Sequence, residues 1–398
     1  MEELILGELT ERKIGYGIVQ PGESTIGGVP VIKVNNIISG LKRIQDLDTT
    51  HPENDQKYRK TRLNGGEIII SVVGTIGKTA IVPMDFKGCN LVRATALIDI
   101  KDPILSRWVK YYIDSPKGQS YINGNLNTTV QPTLNIKSLV EMPIPFYGRE
   151  YAEKVVAILS KIDDKIENNR KINDNLEQQA QAIYKSWFID FEPFKDGEFV
   201  ESEIGLIPEG WKVGTLSDLA EITMGQSPSG KSYNECGEGI LFYQGRAEFG
   251  DRYPSIRLYT TEPSRIADQN SVLLSVRAPV GDTNIAYNKC CIGRGLASIK
   301  AKHGYNSFIF YMIKSMKDQF DMYNGEGTVF GSINRDSLNS LNVIVPTNDV
   351  INKFEKIVAP LDLKYKSLFT ENLLLTQQRD TLLPKLMSGE LKINELDC

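Results

Sequence analysis

The chain is poor in histidine, poor in cysteine, free of long apolar runs and without an excess of positive charge, and each shortage removes a class of function. Two histidines, His51 and His303, occur in 398 residues. They fall at non-equivalent places in the repeat described below, so neither a His-based metal cluster nor a duplicated His-based catalytic site can be built from them. The five cysteines (Cys89, Cys236, Cys290, Cys291 and Cys398) are too few and too irregular for a disulfide framework, and no CxxC pair offers zinc-ligand spacing. They read as small apolar fillers in a reducing compartment, and no metal site is expected. No stretch approaches the roughly 18 apolar residues that suggest a membrane span. The opening MEELILGELTERK puts acidic residues where a secretory signal carries basic ones, so a cytoplasmic protein is expected. Lys and Arg number 46 against 50 Asp and Glu, for a formal net charge of -4. A nucleic-acid surface needs clustered cations; here it has to be a local patch or be completed by a partner.

Enzyme signatures are also scarce. Gly74-Thr-Ile-Gly77-Lys78-Thr79 is close to a phosphate-binding loop, but that motif needs a glycine five positions before Gly77, where Val72 stands. A tight turn between two strands is the better reading. There is no Gly-x-Ser-x-Gly elbow, no Gly-x-Gly-x-x-Gly fingerprint and no Asn-Pro-Pro-aromatic tetrapeptide. Carboxylates are plentiful but no acid pair recurs between the two halves, so a chain without catalytic activity of its own is expected.

What the sequence does contain is a duplication. The second half replays the first at an offset of roughly 200 residues, the scale of a tandem domain rather than a solenoid repeat. Leu6-Gly-Glu-Leu9 echoes Leu216-Ser-Asp-Leu219, and Ser71-Val-Val-Gly-Thr-Ile-Gly77 echoes Ser275-Val-Arg-Ala-Pro-Val-Gly281. Cys89 with Arg93 matches Cys290 or Cys291 with Arg294, and Thr129 to Leu139, which includes Gln131, matches Thr328 to Leu338. Runs such as 66–73 (GEIIISVV) and 270–276 (NSVLLSV) are strand-like, while Pro103 to Ile113 and Ser307 to Ser315 read as helices.

Each copy is followed by a different pattern. Val155, Leu159, Ile162, Ile166, Asn169, Asn173, Leu176, Ala180, Ile183 and Trp187 alternate by four and three. So do Val358, Leu361, Tyr365, Leu368, Asn372, Leu375, Arg379, Leu382 and Leu386. Both are coiled-coil seams. The seam asparagines either fix register or face solvent on slightly rotated helices, and Pro384 should kink or stop the second helix.

The predicted fold is mixed α/β (α+β): two tandem globular domains with twisted sheets, separated by two long antiparallel coiled-coil helices in a pseudo-twofold repeat. The expected bounds are a first domain at 1–150, a spacer helix at 151–190, a linker at 191–212, a second domain at 213–350 and a second spacer helix at 351–390. Helix-helix packing is assigned to Leu159, Ile162, Ile166, Leu176, Ile183, Trp187, Leu361, Leu368, Leu375, Leu382 and Leu386.

These features together resemble the specificity subunit of type I restriction-modification systems over nearly the whole chain. The local signatures are Ile207-Pro-Glu-Gly-Trp211, Ser186-Trp-Phe-Ile-Asp-Phe191 and Leu382-Leu-Pro-Lys-Leu-Met-Ser-Gly-Glu-Leu391. One departure is that the first copy lacks the Pro-x-Gly-Trp lead-in of the second. The resemblance implies target-recognition domains that each read half of a split, asymmetric double-stranded DNA sequence in phage defence. It also implies two methyltransferase subunits and restriction-translocase subunits as partners, with S-adenosylmethionine, ATP and Mg²⁺ bound by those partners and not by this chain. Two other readings stay open: a coiled-coil scaffold or adaptor that never touches DNA, and a self-contained DNA-modifying enzyme.

Candidate DNA contacts follow from side-chain chemistry. Lys57-Tyr58-Arg59-Lys60-Thr-Arg62 is the densest basic cluster, suited to phosphates or guanine, with a solvated loop as the alternative. Lys33, Asn35 and Asn36 follow a strand-like run, and Gln244 with Arg246 follow the corresponding one, which suggests a shared reading loop. Lys78 and Gln131 join the set in the first copy. In the second, Arg246, Arg252, Arg257, Arg265, Arg277 and Arg294 offer bidentate guanine recognition, with about half expected to serve ion pairs inside the protein. Arg93 and Arg294, at equivalent positions, are candidates for a shared phosphate contact.

Overall fold

The computed structural model describes residues 2–41, 43–127, 131–325 and 331–391. Thr129, Val130 and Thr328 to Phe330 of the last landmark, and Cys398, lie outside the described residues. The chain divides into two compact units, Met1–Lys171 with Phe369–Cys398, and Ile172–Leu368.

In the first unit the isoleucine run becomes a buried central strand, Ile68–Ser71. It lies in an antiparallel sheet whose order is Arg12–Tyr16, Thr95–Asp99, Ile68–Ser71, Thr79–Ile81. Successive side chains of a strand point to opposite faces. Ile68 and Ile70 therefore join a core with Trp108, Val109 and Ile113 of helix α1 (Pro103–Asp114), while Ile69 enters a second core with Ile32, Phe86 and Leu91. Helix α1 starts where Asp102 accepts the Ile104 and Leu105 N–H groups and Pro103, with no N–H to lose, takes the first position.

Helix α2 (Arg149–Phe188) follows the first domain in the chain. The second unit then repeats the first, with strands Ala220–Met224, Leu296–Ala301, Val272–Ser275 and Thr283–Ile285 in the same order. Val272 and Leu274 pack with helix α3 (Asn306–Ser315), and Leu273 with Leu241, Tyr243 and Ile292. A smaller sheet accompanies each: Val29–Ile32 runs parallel to Asn90–Leu91, and Ile240–Tyr243 parallel to Cys290–Ile292. Ile32 opposes Leu91 as Tyr243 opposes Ile292, so Cys290, not Cys291, is the counterpart of Cys89. Burial pushes the Cys89 thiol up to about 11 and the Cys290 thiol up to about 12, where neither is a nucleophile at neutral pH.

The second seam becomes helix α4 (Asn348–Met387). Each long helix holds 40 residues, about 60 Å at 1.5 Å per residue. Within the first unit they run antiparallel: Tyr151 Oη donates to the Leu386 carbonyl (2.8 Å), Arg379 to Asp163 (3.0 Å), and Asn169 to Asn372 (2.9 Å). Leu159, Ile166 and Leu386 are buried there, and Ile162, Leu375 and Leu382 half-buried. In the second unit Leu368 is buried and Leu176, Ile183, Trp187 and Leu361 are half-buried, with Tyr184 and Trp187 edge-on to Phe354.

Of the two readings of the seam asparagines, the buried one holds for Asn169 and Asn173. Two features depart from sequence expectation. Helix α4 continues through Pro384 and ends at Met387, with Gly389 in the left-handed region at φ +72°. Between the domains, Phe199–Ser202 and Gly205–Pro208 form an antiparallel hairpin inside what reads as linker.

Candidate nucleic-acid interface

Matching hydrogen bonds build the same set of loops at one end of each domain. In the first unit Val72 N–H donates to Ala94 O, Thr95 to Val92, Ile18 to Leu91 and Leu134 to Val72. In the second, Val276 donates to Gly295, Leu296 to Gly293, Gln226 to Ile292 and Ile333 to Val276. Close strand approach demands glycine at equivalent points. A Cβ on Gly17 would sit 2.1 Å from Leu91 O, and one on Gly225 would sit 2.1 Å from Gly293 O.

These bonds place Arg93 and Arg294 at equivalent loop positions. Both are exposed, and neither makes an ion pair among the described residues. Around Arg294 lie Gln244, whose backbone carbonyl accepts the Gly295 N–H (3.3 Å), and Arg277, which follows Val276. Gln226 and Ser227 complete this rim, with Ser227 Oγ accepting the Arg294 N–H at 3.4 Å. Sequence reasoning missed those two; aligning Gly17 with Gly225 is the signal that finds them.

In the first unit Tyr58 packs against Ile18, Val31 and Val92, which brings Lys57, Arg59 and Lys60 beside the Arg93 loop. All three are exposed and without ion pairs among the described residues. Lys78 is exposed on the Gly74–Gly77 turn, and Gln131 is exposed two residues before Thr133, which bridges to Val73. Lys33 and Asn35 are exposed at the start of the Val34–Ser39 helix, where Lys33 Nζ meets Asp48 at 2.7 Å.

Several candidates are committed to the protein itself. Arg252 is a correction: it is 2% exposed and bound to Asp362 at 2.5 Å, beyond reach of a DNA ligand. Asn36 is half-buried and its Oδ1 accepts the Lys33 N–H (2.7 Å), which ties the amide to the start of its own helix. Tyr58 packs its ring inward instead of presenting it for stacking. Arg62 is paired with the fully buried Asp55, which also accepts from Asn90 at 2.8 Å. Of the six arginines singled out in the second copy, Arg246 pairs with Asp282, Arg257 with Glu248 and Arg252 with Asp362, while Arg265, Arg277 and Arg294 are exposed without an ion pair among the described residues. Arg12, not singled out from the sequence, braces the first domain between Glu67 and Asp99, both at 2.5 Å.

Among the described residues no group of His, Cys, Asp and Glu could hold a metal ion, and no helix is long and apolar enough to cross a membrane. The two domains thus present related loops with unlike side chains: Lys33 stands where Gln244 does, Val73 where Arg277 does, and Lys78 where Asp282 does.

Residues 3–178 and 208–363 match the family described as type I restriction modification DNA specificity domain. The chain is 32% identical over 378 residues to the MjaX type I restriction enzyme specificity subunit of Methanocaldococcus jannaschii, covering 92% of this chain and 88% of the relative. It is 25% identical over 331 residues to the HindI specificity subunit of Haemophilus influenzae, covering 65% and 71%. The crystal structure of the type I restriction-modification S subunit from M. genitalium shares the fold, with a TM-score of 0.54 at 15% identity over 97% of this chain and 95% of that one. The chain belongs to the type I restriction-modification specificity-subunit family, whose members are the non-catalytic, DNA-recognising subunits of their complexes.

Proposed function

We propose that each domain reads one half of an asymmetric, bipartite double-stranded DNA target, and that the chain directs two methyltransferase subunits and the restriction-translocase subunits to it. The observation that carries this reading is the pair of equivalent exposed arginines, Arg93 and Arg294, on loops whose neighbouring side chains differ. Shared cations suit the phosphate backbone, which is the same everywhere, and divergent neighbours suit base edges, which are not. S-adenosylmethionine, ATP and Mg²⁺ are bound by the partner subunits, and the complex works in the cytoplasm.

The test is DNA binding by the complex assembled with its methyltransferase. Arg93→Ala and Arg294→Ala should each weaken binding uniformly across target sequences and reduce the slope of log affinity against log salt by about 1. If affinity and slope both stay unchanged, the phosphate role of these residues is excluded.

A further inference from the structure

We propose that Arg252 is a positioning residue for recognition: it fixes the loop bearing Gln244 and Arg246 against helix α4, and so sets how strictly the second domain discriminates bases. The inference rests on the two-half-site reading above.

The side chain of Arg252 is 1% exposed. Its Nη2 donates to Asp362 Oδ1 at 2.5 Å and to Tyr311 Oη at 3.0 Å, and Tyr311 Oη donates to the same Asp362 oxygen at 2.8 Å. The guanidinium lies over the rings of Phe310 and Tyr365, at 4.6 and 4.5 Å. Phe310 and Tyr311 belong to α3 and Asp362 and Tyr365 to α4, so one cation joins a domain loop, a domain helix and a long helix. Burial works against its charge, and the carboxylate of Asp362 restores it. Nε has no hydrogen-bond partner among the described residues. A buried pair left partly unsatisfied is a poor source of stability compared with packed apolar side chains. What it supplies is a fixed geometry.

That geometry reaches the reading rim through a stiff loop. The buried Glu248 accepts the Gly245 N–H at 3.1 Å and pairs with Arg257 at 2.6 Å, while its carbonyl accepts the Ser255 N–H at 2.8 Å. Asn284 brackets Gly250 with one donated and one accepted bond, and Arg252 O accepts the Ile285 N–H at 2.8 Å. Residues 245–257 are thus tied to one another and to Asn284 and Ile285, with Arg246 near the start of the segment, Gln244 just before it and the Arg252 anchor within it.

The first unit has the same tyrosine-aspartate contact without the loop. Tyr111 Oη donates to Asp163 at 3.0 Å, and Asp163 matches Asp362 when α2 and α4 are aligned from their first residues. There the carboxylate is met by Lys110 of α1 at 3.4 Å and Arg379 of α4 at 3.0 Å, and neither lies on a reading loop. The coupling is therefore peculiar to the second domain, and the first half-site serves as an internal control.

The experiment maps methylated bases in cells carrying the complete complex with wild-type chain, Arg252→Lys, Asp362→Asn or Tyr311→Phe. In the variants, discrimination at one or more positions of a single half of the motif should fall by about tenfold, while the other half stays strict. An unchanged motif overturns the proposal, whether methylation holds at the wild-type level or declines uniformly, since a uniform decline is what lost stability alone produces. Equal relaxation of both halves also overturns it. Where Arg252→Lys fails to assemble, Tyr311→Phe removes one oxygen from the same cluster and is read against the same outcomes. A wild-type map without a split motif would remove the two-half-site reading itself, and the proposal with it.

Discussion

At Glu355 burial outweighs hydrogen bonding. The carboxylate on α4 accepts the Phe308 N–H near the start of α3 at 2.8 Å, yet burial pushes its pKa up to about 7. An unfolded glutamate titrates near 4.3, so between these values the folded chain holds a proton that the unfolded chain has released. The stabilisation is fully present below the unfolded value and is lost as pH rises through about 7. Glu355→Gln should therefore match wild type near pH 4.5 and exceed it by about 1–3 kcal/mol at pH 8, read as a shift in urea midpoint. A difference independent of pH would contradict this. The arginines show why the sequence reveals residue types better than residue roles. Arg252 and Arg294 look alike in the chain, and their fates are decided by a carboxylate 110 positions from Arg252 and by the lack of one near Arg294 among the described residues. Arg62 is easier to place in principle, because Asp55 lies only seven positions away.

At the scale of elements, local periodicity carries most of the information. The alternating four-three spacing marks both long helices because each position of a seam meets the partner through the same repeating geometry. The isoleucine run marks a strand buried on both faces. The hairpin Phe199–Ser202 with Gly205–Pro208 is hidden because its residues have the mixed polarity of a loop. Helix α4 passes Pro384 because the lost hydrogen bond falls in the last turn, where Leu383, Leu386 and Met387 pack into the first domain's core. The seam asparagines make a testable pair. Asn169 Nδ2 donates to Glu371 at 2.8 Å and to Asn372 at 2.9 Å, and Asn372 Nδ2 donates to Ile166 O at 3.2 Å. Asn169→Ala removes the donor serving Asn372 Oδ1 and should destabilise the first unit by about 1–2 kcal/mol. Replacing both asparagines by leucine should be less harmful than the single change, because no half-satisfied amide is left. Calorimetry on the two variants checks the order; a neutral Asn169→Ala would refute it.

At the scale of the whole molecule, the duplication is the strongest signal and the divergence within it the most informative. Equivalent hydrogen bonds hold Arg93 and Arg294 at matching places, while Lys78 against Asp282 and Val73 against Arg277 make the two rims chemically unlike. In the proposed reading, a chain with net charge -4 engages DNA through such local rims and not through its overall field, and unlike rims call for unlike half-sites. The most direct test is to co-express the chain with the methyltransferase subunit proposed as its partner and map methylated bases by single-molecule sequencing. The account predicts a split motif with two different halves around a gap of fixed length and free sequence; a continuous motif, or one whose halves are identical, would contradict it.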